Sequence, residues 1–570
     1  MPGVLGEVLV LLVANVQADC LNLASPENWG TLEFSRKHLS KTNNQQREAE
    51  MKINRREVLR SALGSTIMIS GLGSSTLSAS AQPAQAPNTL TWIAFISYRN
   101  MNPASNYDSE IYVLGNVYET LFVYRDGNVQ PKLAISWERS DDGKSWTVHL
   151  RKGVKFHDGS PLNSAAVKKS FEYVRDLGKG PSFFYAGLEG VETPDEHTAI
   201  FRFKNAIAFD LVAAGQYGGF VIGPAAIDKG DEWLTRGNAI GTGPYKLTKF
   251  EQGKLVVLDK FEDYWDGWQS GQIDRVIHPY IAEASTRVQM IRSGQAGIST
   301  VPASEIKNLD ALSNVSVTNT PSWVSDLYML NTQKYPTDNL KFRQALQHLW
   351  DHDTVIKDIF HGTATKPVAP IVSTMWGHGT YDVGTFDPQK ALALLEESGV
   401  PKKDWKIEVL FSTTRPEPKD AIELFQANAA AIGLEVELNF EQVGTTFLSK
   451  ARSRETAGHM NKVQWWPGYP TPSDTLISLF HTEKQPAWNL SYYYDEEYDR
   501  LVDQALGLEG VDIAAATKGY IAAQDRLMHE AVAIFYADIN RVNAYSSNIK
   551  RMEEASNPAY EWLSIYDLRV

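Results

Sequence analysis

Residues 116–174 read NVYETLFVYRDGNVQPKLAISWERSDDGKSWTVHLRKGVKFHDGSPLNSAAVKKSFEYV, and this stretch decides the fold. It opens with Val117, Leu121 and Phe122, which predict an apolar turn of helix, and continues through the turn dipeptide Asp126-Gly127. The residues that follow alternate between apolar and polar, which predicts short half-buried strands arranged as hairpins. The apolar positions of these strands are Ile135, Trp137, Trp146, Val148 and Leu150.

The end of the same stretch predicts a capped helix. The turn sequence HDGSP at residues 157–161 leads to Asn163, a residue type that is preferred at helix starts. The helix would end at Gly178, because glycine adopts the left-handed conformation that commonly closes a helix. Its buried face would consist of Val167, Phe171 and Val174.

Helices and strands alternate in the second half of the chain, which indicates α/β construction. Asp387, followed by a proline, and Asp420 are expected to cap two helices that end at Gly399 and Gly433. The first of these helices would bury Leu392, Leu394 and Leu395. Strands are further predicted at residues 89–97, 198–203, 245–250, 255–258, 328–332, 434–440 and 533–536, and helices at 341–350, 497–506 and 514–533.

Composition narrows the class of protein. With 570 residues the chain exceeds a single core, and 43% hydrophobic with 22% charged residues is ordinary for a globular protein. The formal net charge of −13 comes from interspersed acids and bases, which argues against a nucleic-acid surface. Cys20 is the single cysteine, so an intrachain disulfide and a cysteine-based metal cluster are both excluded.

The N-terminal region is similar to a twin-arginine export signal over residues 51–86. Arg55 and Arg56 precede a modestly apolar segment, residues 63–77, which is too short and too rich in Gly and Ser to anchor the chain in a bilayer. Cleavage could follow 79–81 or 84–86, and we expect it near Ala86 because a strand begins just after that site. Residues 1–50 are expected to be either untranslated, with Met51 as the start, or disordered.

Enzyme constellations are absent from the sequence. It contains no G-x-S-x-G elbow, no H-E-x-x-H and no cysteine nucleophile after residue 86. His348 and His352 are four apart on a predicted helix, but beside neighbouring aspartates they are expected on a solvated face rather than as metal ligands. We therefore predict no enzyme activity, no metal site and no cofactor.

Aromatic residues beside irregular segments are the strongest indication of a binding site. The segment VQWWPGYPTP, residues 463–472, places two tryptophans at a strand end before prolines and a glycine, so both cannot face a core. At least one should face a cleft, where flat amphipathic rings hold an organic solute. Arg415 is a candidate for a ligand carboxylate or phosphate, with an ordinary surface arginine as the equal alternative.

Several ordered motifs resemble the peptide/nickel class of extracellular solute-binding proteins that serve ABC importers (dipeptide-, oligopeptide- and nickel-binding proteins). They are Y-E-x-L (118–121), L-A-x-S-W-E-x-S-D-D-G (133–143), L-R-K-G-V-K-F-H-D-G-x-P (150–161), G-T-G-P-Y-x-L (241–247) and A-S-T-R-x-x-x-I-x-S-G (284–294).

The resemblance implies a two-lobed, α/β periplasmic binding protein that closes by a hinge. Lobe one would comprise residues 87–321 plus 541–570, and lobe two residues 322–540. It further implies a monomer in the periplasm, a small-molecule ligand, an ABC permease in the inner membrane and the twin-arginine export machinery as partners, and no nucleic acid. The predicted ligand-binding residues are Tyr98, Asn102, Glu119, Trp323, Trp376, Arg415, Trp465, Trp466 and Tyr469.

One departure from the family pattern bears on the ligand. Residues 465–472 align with the family motif W-x-A-D-Y-x-D-P, in which the first Asp pairs with the α-amino group of a peptide ligand. Gly468 stands at that place, and Thr471 replaces the second Asp. We therefore expect a solute without a free peptide N-terminus, such as an opine-like conjugate, an oligosaccharide or a metal chelate. A di- or oligopeptide, a secreted carbohydrate-active enzyme and a periplasmic holdase remain the alternatives.

Overall fold

The structure is a computed structural model that describes residues 88–442 and 445–570. The strands are β1 Thr89–Ile93, β2 Phe122–Arg125, β3 Asn128–Pro131, β4 Ala134–Arg139, β5 Ser145–Leu150, β6 Leu188–Asp195, β7 Thr198–Phe203, β8 Tyr245–Glu251, β9 Leu255–Lys260, β10 Arg275–Pro279, β11 Ile298–Ser299, β12 Val315–Leu330, β13 Ala364–Thr365, β14 Lys406–Phe411, β15 Glu435–Phe440, β16 Met460–Trp465 and β17 Ala533–Ser546.

The helices are α1 Ile111–Val117, α2 Ser164–Leu177, α3 Phe209–Ala213, α4 Pro224–Lys229, α5 Asp231–Thr235, α6 Ala284–Arg292, α7 Ile306–Asp310, α8 Leu340–Gln347, α9 His352–Thr354, α10 Pro388–Glu397, α11 Glu417–Ala431, α12 Thr445–Ala451, α13 Pro472–Phe480, α14 Glu496–Glu509, α15 Ile513–His529 and α16 Met552–Ala555. Short 3-10 turns lie at Gly180–Tyr185, Ala303–Glu305, Lys402–Asp404 and Ile565–Asp567, and a π-helical turn at Val355–Ile359.

Two long strands hold the main sheet together. The strand order is β15-β14-β16-β12-β17-β11-β1-β10-β9-β8, with β13 paired to β17. Strands β12 and β17 run antiparallel from the pair Val315 and Ser546 to the pair Met329 and Ala533. One end of this pair lies beside β11 and the other beside β16, so the two strands connect both ends of the sheet. A separate sheet has the order β4-β5-β7-β6, and β2 and β3 form a hairpin.

The organising stretch folds largely as its sequence predicts. Asp126 and Gly127, with φ of 53° and 78°, form the turn between β2 and β3. Asn163 caps α2 by accepting a hydrogen bond from the Ala166 amide, and Gly178 ends the helix with φ of 64°. The α/β class is therefore confirmed at the level of its local elements.

Some details of the prediction are wrong. Helix α1 ends at Val117 because Tyr118 is extended, so Leu121 and Phe122 are buried from a loop and from β2 rather than from a helix. Ile135 is 50% exposed, because β4 has an irregular register at its start and turns this residue outward. Asp420 does not cap α11, which begins at Glu417 directly after a proline.

Other elements differ in their extent. Strand β17 continues to Ser546, well past the predicted end at residue 536, because it pairs along almost the whole of β12. In α10 the fully buried positions are Ala391 and Leu395, whereas the other two predicted leucines are half-buried. Asp387 caps this helix as predicted, by accepting a hydrogen bond from the Lys390 amide.

Four predictions are not tested by the structure. The export signal, its cleavage near Ala86 and the status of residues 1–50 lie outside the described residues. The lobe boundaries also stay predictions, since the described residues belong to one compact unit. Within 88–442 and 445–570, no helix has the length and apolar character needed to cross a bilayer.

Candidate functional site

The residues that follow β16 join two parts of the structure. Trp466 Nε1 donates a hydrogen bond to Tyr217 Oη over 3.0 Å. Gln216 Nε2 donates to the Pro467 carbonyl (2.8 Å), and the Tyr217 amide donates to the Gly468 carbonyl (3.4 Å). Residues 465–469, which we call the tryptophan segment, therefore tie the β16 end of the sheet to the chain that follows α3.

Gly468 lies in close contact with residues from far earlier in the chain. A Cβ atom at this position would be 2.8 Å from Tyr107 Oη, 2.9 Å from the Phe184 ring and 3.3 Å from Asp474 Oδ1. Distances below 3.0 Å are not tolerated without movement, so the absence of a side chain permits this close approach.

A cavity lies against the tryptophan segment. Its wall includes Trp323, Ser325, Met375, Trp465 and Pro467. The cavity has room for about one water molecule. A larger solute therefore requires the wall to move.

The register of three strands places an acidic residue on the face of the sheet that borders the cavity. Ser325 in β12 is opposite Trp465 in β16 and opposite Asp538 in β17. Residues directly opposite on paired strands share a face, so these three side chains form one row. Ser325 Oγ donates a hydrogen bond to Asp538 Oδ1 (3.0 Å), and burial raises the pKa of Asp538 to about 7.

Two more buried carboxyls lie near the tryptophan segment. Asp474 Oδ2 accepts a hydrogen bond from Trp465 Nε1 (3.2 Å), and the Gly468 backbone also stabilises the carboxylate. Burial raises the pKa of Asp474 to about 7, and nearby Glu509 adds to the rise. Burial likewise raises the pKa of Glu509 to about 7, although Tyr520 Oη donates to it over 2.5 Å.

Arg415 belongs to a compact charge cluster. The buried Asp326 accepts hydrogen bonds from Arg415 Nη2 (2.8 Å), Lys462 Nζ (3.0 Å) and Gln464 Nε2 (3.0 Å). Burial opposes ionisation, but Lys462 and Arg415 outweigh it and lower the pKa of Asp326. Two cations face one carboxylate, and the Arg415 side chain is 32% exposed, so this cluster can receive a further anionic group.

The predicted aromatic residues gather around the tryptophan segment. Trp465 and Trp323 line the cavity, and the buried Trp323 Nε1 has no partner among the described residues. Trp376 Nε1 donates to the Pro470 carbonyl over 2.9 Å, so its indole contacts the chain just beyond the segment. The Tyr469 ring packs edge-on against Phe184, with their centroids 4.8 Å apart, and Trp466 contacts Tyr217 as described above.

Of the nine predicted residues only Trp323 and Trp465 are in the cavity wall, and three of the others, Tyr98, Asn102 and Glu119, lie in the first half of the chain. Each is buried and has polar partners elsewhere in the first half of the chain. Tyr98 Oη lies 2.8 Å from His278 Nε2, Asn102 Nδ2 donates to Asp231 Oδ1 over 2.7 Å, and Glu119 forms an ion pair with Lys132 at 3.1 Å.

His348 and His352, four residues apart in the sequence, contact different parts of the chain. His348 Nδ1 lies 2.7 Å from the Thr385 carbonyl, whereas His352 is buried with Nε2 3.0 Å from the Phe535 carbonyl. The expectation that both lie on a solvated face is therefore wrong for His352. Among the described residues no group of three His, Cys, Asp or Glu side chains could hold a metal ion.

Sequence reasoning missed the buried acids. Asp538 lies within the apolar run AIFYADI at residues 533–539, and a charge in such a run was a signal that could have found it. Asp474 carried no such signal, since an acid in the first turn of a helix is ordinary. Its importance comes from its position beside Gly468.

Comparison with known proteins identifies relatives across most of the chain. The family model "Bacterial extracellular solute-binding proteins, family 5 Middle" matches residues 128–487, which is more than half of the chain. The chain is 26% identical over 447 residues to the glutathione-binding protein GsiB of Escherichia coli K12, covering 77% of this chain and 86% of the relative.

Solved structures show the same fold. The periplasmic binding protein DppA from Helicobacter pylori, in complex with the peptide STSA, is similar with a TM-score of 0.71 and 26% identity, covering 85% of this chain and 98% of that chain. AgaA from A. tumefaciens R10, in complex with agropinic acid, is similar with a TM-score of 0.69 and 21% identity, covering 85% and 98%. The match extends over nearly all of both structures, so the architecture is that of periplasmic binding proteins.

Proposed function

We propose that this chain captures a small polar organic solute by hinge closure. It belongs to the bacterial extracellular solute-binding proteins of family 5 and is therefore the solute-binding component of an ABC importer. After capture, it delivers the solute to a permease in the inner membrane. The proposed solute is an opine-like conjugate, an oligosaccharide, a metal chelate or a similar molecule without a free peptide N-terminus.

The observation that carries this proposal is the contact between the tryptophan segment and residues 216 and 217. It joins the proposed lobe two, residues 322–540, to the proposed lobe one, residues 87–321 plus 541–570, through the hydrogen bond between Trp466 and Tyr217. The long strands β12 and β17 run between the two parts, as a hinge requires. A solute that touches both parts would favour the closed arrangement over the open one.

The proposed binding residues are narrowed by their contacts. From the second part we retain five aromatic residues and Arg415, whose half-exposed guanidinium suits a carboxylate or phosphate and which lies on the other face of the sheet from the cavity. From the first part, we propose Tyr217 as a binding residue in place of Tyr98, Asn102 and Glu119, whose polar groups have partners elsewhere. The retained aromatics are Trp323, Trp376, Trp465, Trp466 and Tyr469.

The remaining parts of the proposal follow from the family. We propose a monomer without enzyme activity or cofactor, exported to the periplasm by the twin-arginine machinery and cleaved near Ala86. N-terminal sequencing of the exported protein tests this, and a mature chain that begins before Met51 would contradict it.

One observation favours a second candidate, a di- or oligopeptide-binding protein. The buried Asp474 carboxyl lies beside the glycine that replaces the family's aspartate, so a carboxyl is present near that position after all. A carboxyl at this place suits the ammonium group of a peptide. GsiB is named a glutathione-binding protein, and DppA is in complex with the peptide STSA. Loss of peptide binding in Asp474→Asn would establish this second candidate.

The test is thermal unfolding of the mature protein against a library of sugars, opines, peptides, amino acids and metal chelates. A tight ligand raises the unfolding midpoint by mass action, so one class should raise it by several degrees. Calorimetry with mixed di- and tripeptides then separates the two candidates. Submicromolar peptide binding would overturn the first, and no shift with any solute would overturn both.

A further inference from the structure

Asp538 is a buried carboxyl that lacks a positively charged partner in the described part of the chain. It is 8% exposed, and Ser325 Oγ is the hydrogen-bond donor that reaches it. Burial and this one hydrogen bond alone perturb its ionisation, with no contribution from a nearby charge. A buried carboxylate without a cation is costly, so the site gains if a positively charged group binds there.

The two cations Arg415 and Lys462 do not contact Asp538. Arg415 and Lys462 both bind Asp326, which neighbours Ser325 along β12. Successive side chains of a strand point to opposite faces, so this cluster lies on the other face of the sheet. No cation of this cluster therefore compensates Asp538 when its carboxyl is ionised.

Aromatic rings on the same sheet face as Asp538 suit the same kind of ligand. Trp465 is in the same row, on the far side of Ser325, and Trp323 lines the same cavity. Opposite residues on paired strands are about 5 Å apart, so Trp465 and Asp538 are separated by roughly 10 Å, with the serine between them. Indole faces attract organic cations, and this attraction grows when water is excluded.

We infer that the sheet face that carries Trp323, Trp465 and Asp538, next to the cavity, binds the positively charged end of the solute, a guanidinium or a primary ammonium group. The inference rests on the proposed function and selects, among the polar solutes named there, those with a cationic end. The carboxyl supplies the counter-charge, and the two indoles exclude water and contact the apolar part of the group.

The test uses two matched pairs of probes that differ in charge at one end. L-arginine is compared with L-citrulline, and L-lysine with L-norleucine, by titration calorimetry of the mature protein at pH 8, where the carboxyl is ionised. At least one cationic member should bind about tenfold tighter than its neutral partner, the effect of one well-placed ionic contact. In Asp538→Asn this preference should vanish, while Asp141→Asn, at an exposed aspartate without an ion pair, should keep it.

The outcomes are distinct from those that test the proposed function. The wild-type comparison needs no variant, so it remains decisive if Asp538→Asn does not fold. Equal affinity for both members of each pair, binding of neither pair, or a preference that survives Asp538→Asn would overturn the inference. The proposed function would still stand if another solute in the library raised the unfolding midpoint.

Discussion

Replacement of Asp474 with asparagine removes a carboxyl whose pKa burial raises to about 7, against a usual value of 3.8. Between these pH values the folded chain holds a proton that the unfolded chain has released. Wild-type stability therefore falls as the pH rises through this window and is constant above it. Asparagine keeps an oxygen for Trp465 Nε1 but has no proton to lose. The variant should thus gain stability relative to wild type as the pH rises from 5 to 8.

The size of the gain follows from linkage. Over pH 5 to 8 the difference in bound protons between the two states integrates to about two pH units, which at 1.36 kcal/mol per unit is about 2.6 kcal/mol. A folded chain as long as the described residues has an unfolding entropy of roughly 1 kcal/mol/K. The difference in unfolding midpoint between wild type and Asp474→Asn should therefore change by about 2–3 °C between pH 5 and pH 8. Scanning calorimetry of wild type, Asp474→Asn and the exposed control Asp141→Asn measures this. A difference between wild type and Asp474→Asn that is the same at pH 5 and pH 8 would refute the reasoning.

Three further changes test the contact between the two parts and the buried histidine. Gly468→Ala forces a Cβ within 2.8 Å of a tyrosine hydroxyl and should cost about 1–3 kcal/mol, whereas Gly187→Ala, with nothing within 4 Å, should cost far less by the same urea unfolding. Tyr217→Phe removes the acceptor of the Trp466 indole and should cost about 0.5–1.5 kcal/mol; an unchanged midpoint would contradict this. Burial lowers the pKa of His278 to about 4, so stability should be lost as the pH falls from 6.5 to 4, by about 3 kcal/mol, and His278→Gln should lose less.

Local features were readable from the sequence because their contacts are short-range. The cap at Asn163 joins residues three apart, and Gly178 and Gly127 adopt positive φ for reasons contained in the residue itself. Asp420 shows the limit of this reasoning, since Pro416 sets the start of α11 and no sequence rule ranks the two signals. Boundaries failed where pairing with a distant strand extended an element, as in β17.

The candidate site was predictable in its residue types but not in its arrangement. The adjacent tryptophans of residues 465–469 indicated a cleft, and the structure places Trp466 against Tyr217 and Trp465 at the cavity. Tyr98 and Glu119 were expected there too, yet each is held by a partner that only the fold brings near. Whether a polar side chain is free to bind depends on such partners, which sequence spacing does not reveal.

The sequence by itself determined the α/β class, the family and the segment that joins the two parts, because these depend on local periodicity and on ordered motifs. Only the tertiary structure decided that Trp465, Ser325 and Asp538 form one row. Strand register brings together residues more than a hundred positions apart, and alternation then sets the face on which they lie. The burial that raises the pKa of Asp538 and Asp474 likewise arises only from packing, since it depends on which chains cover each carboxyl.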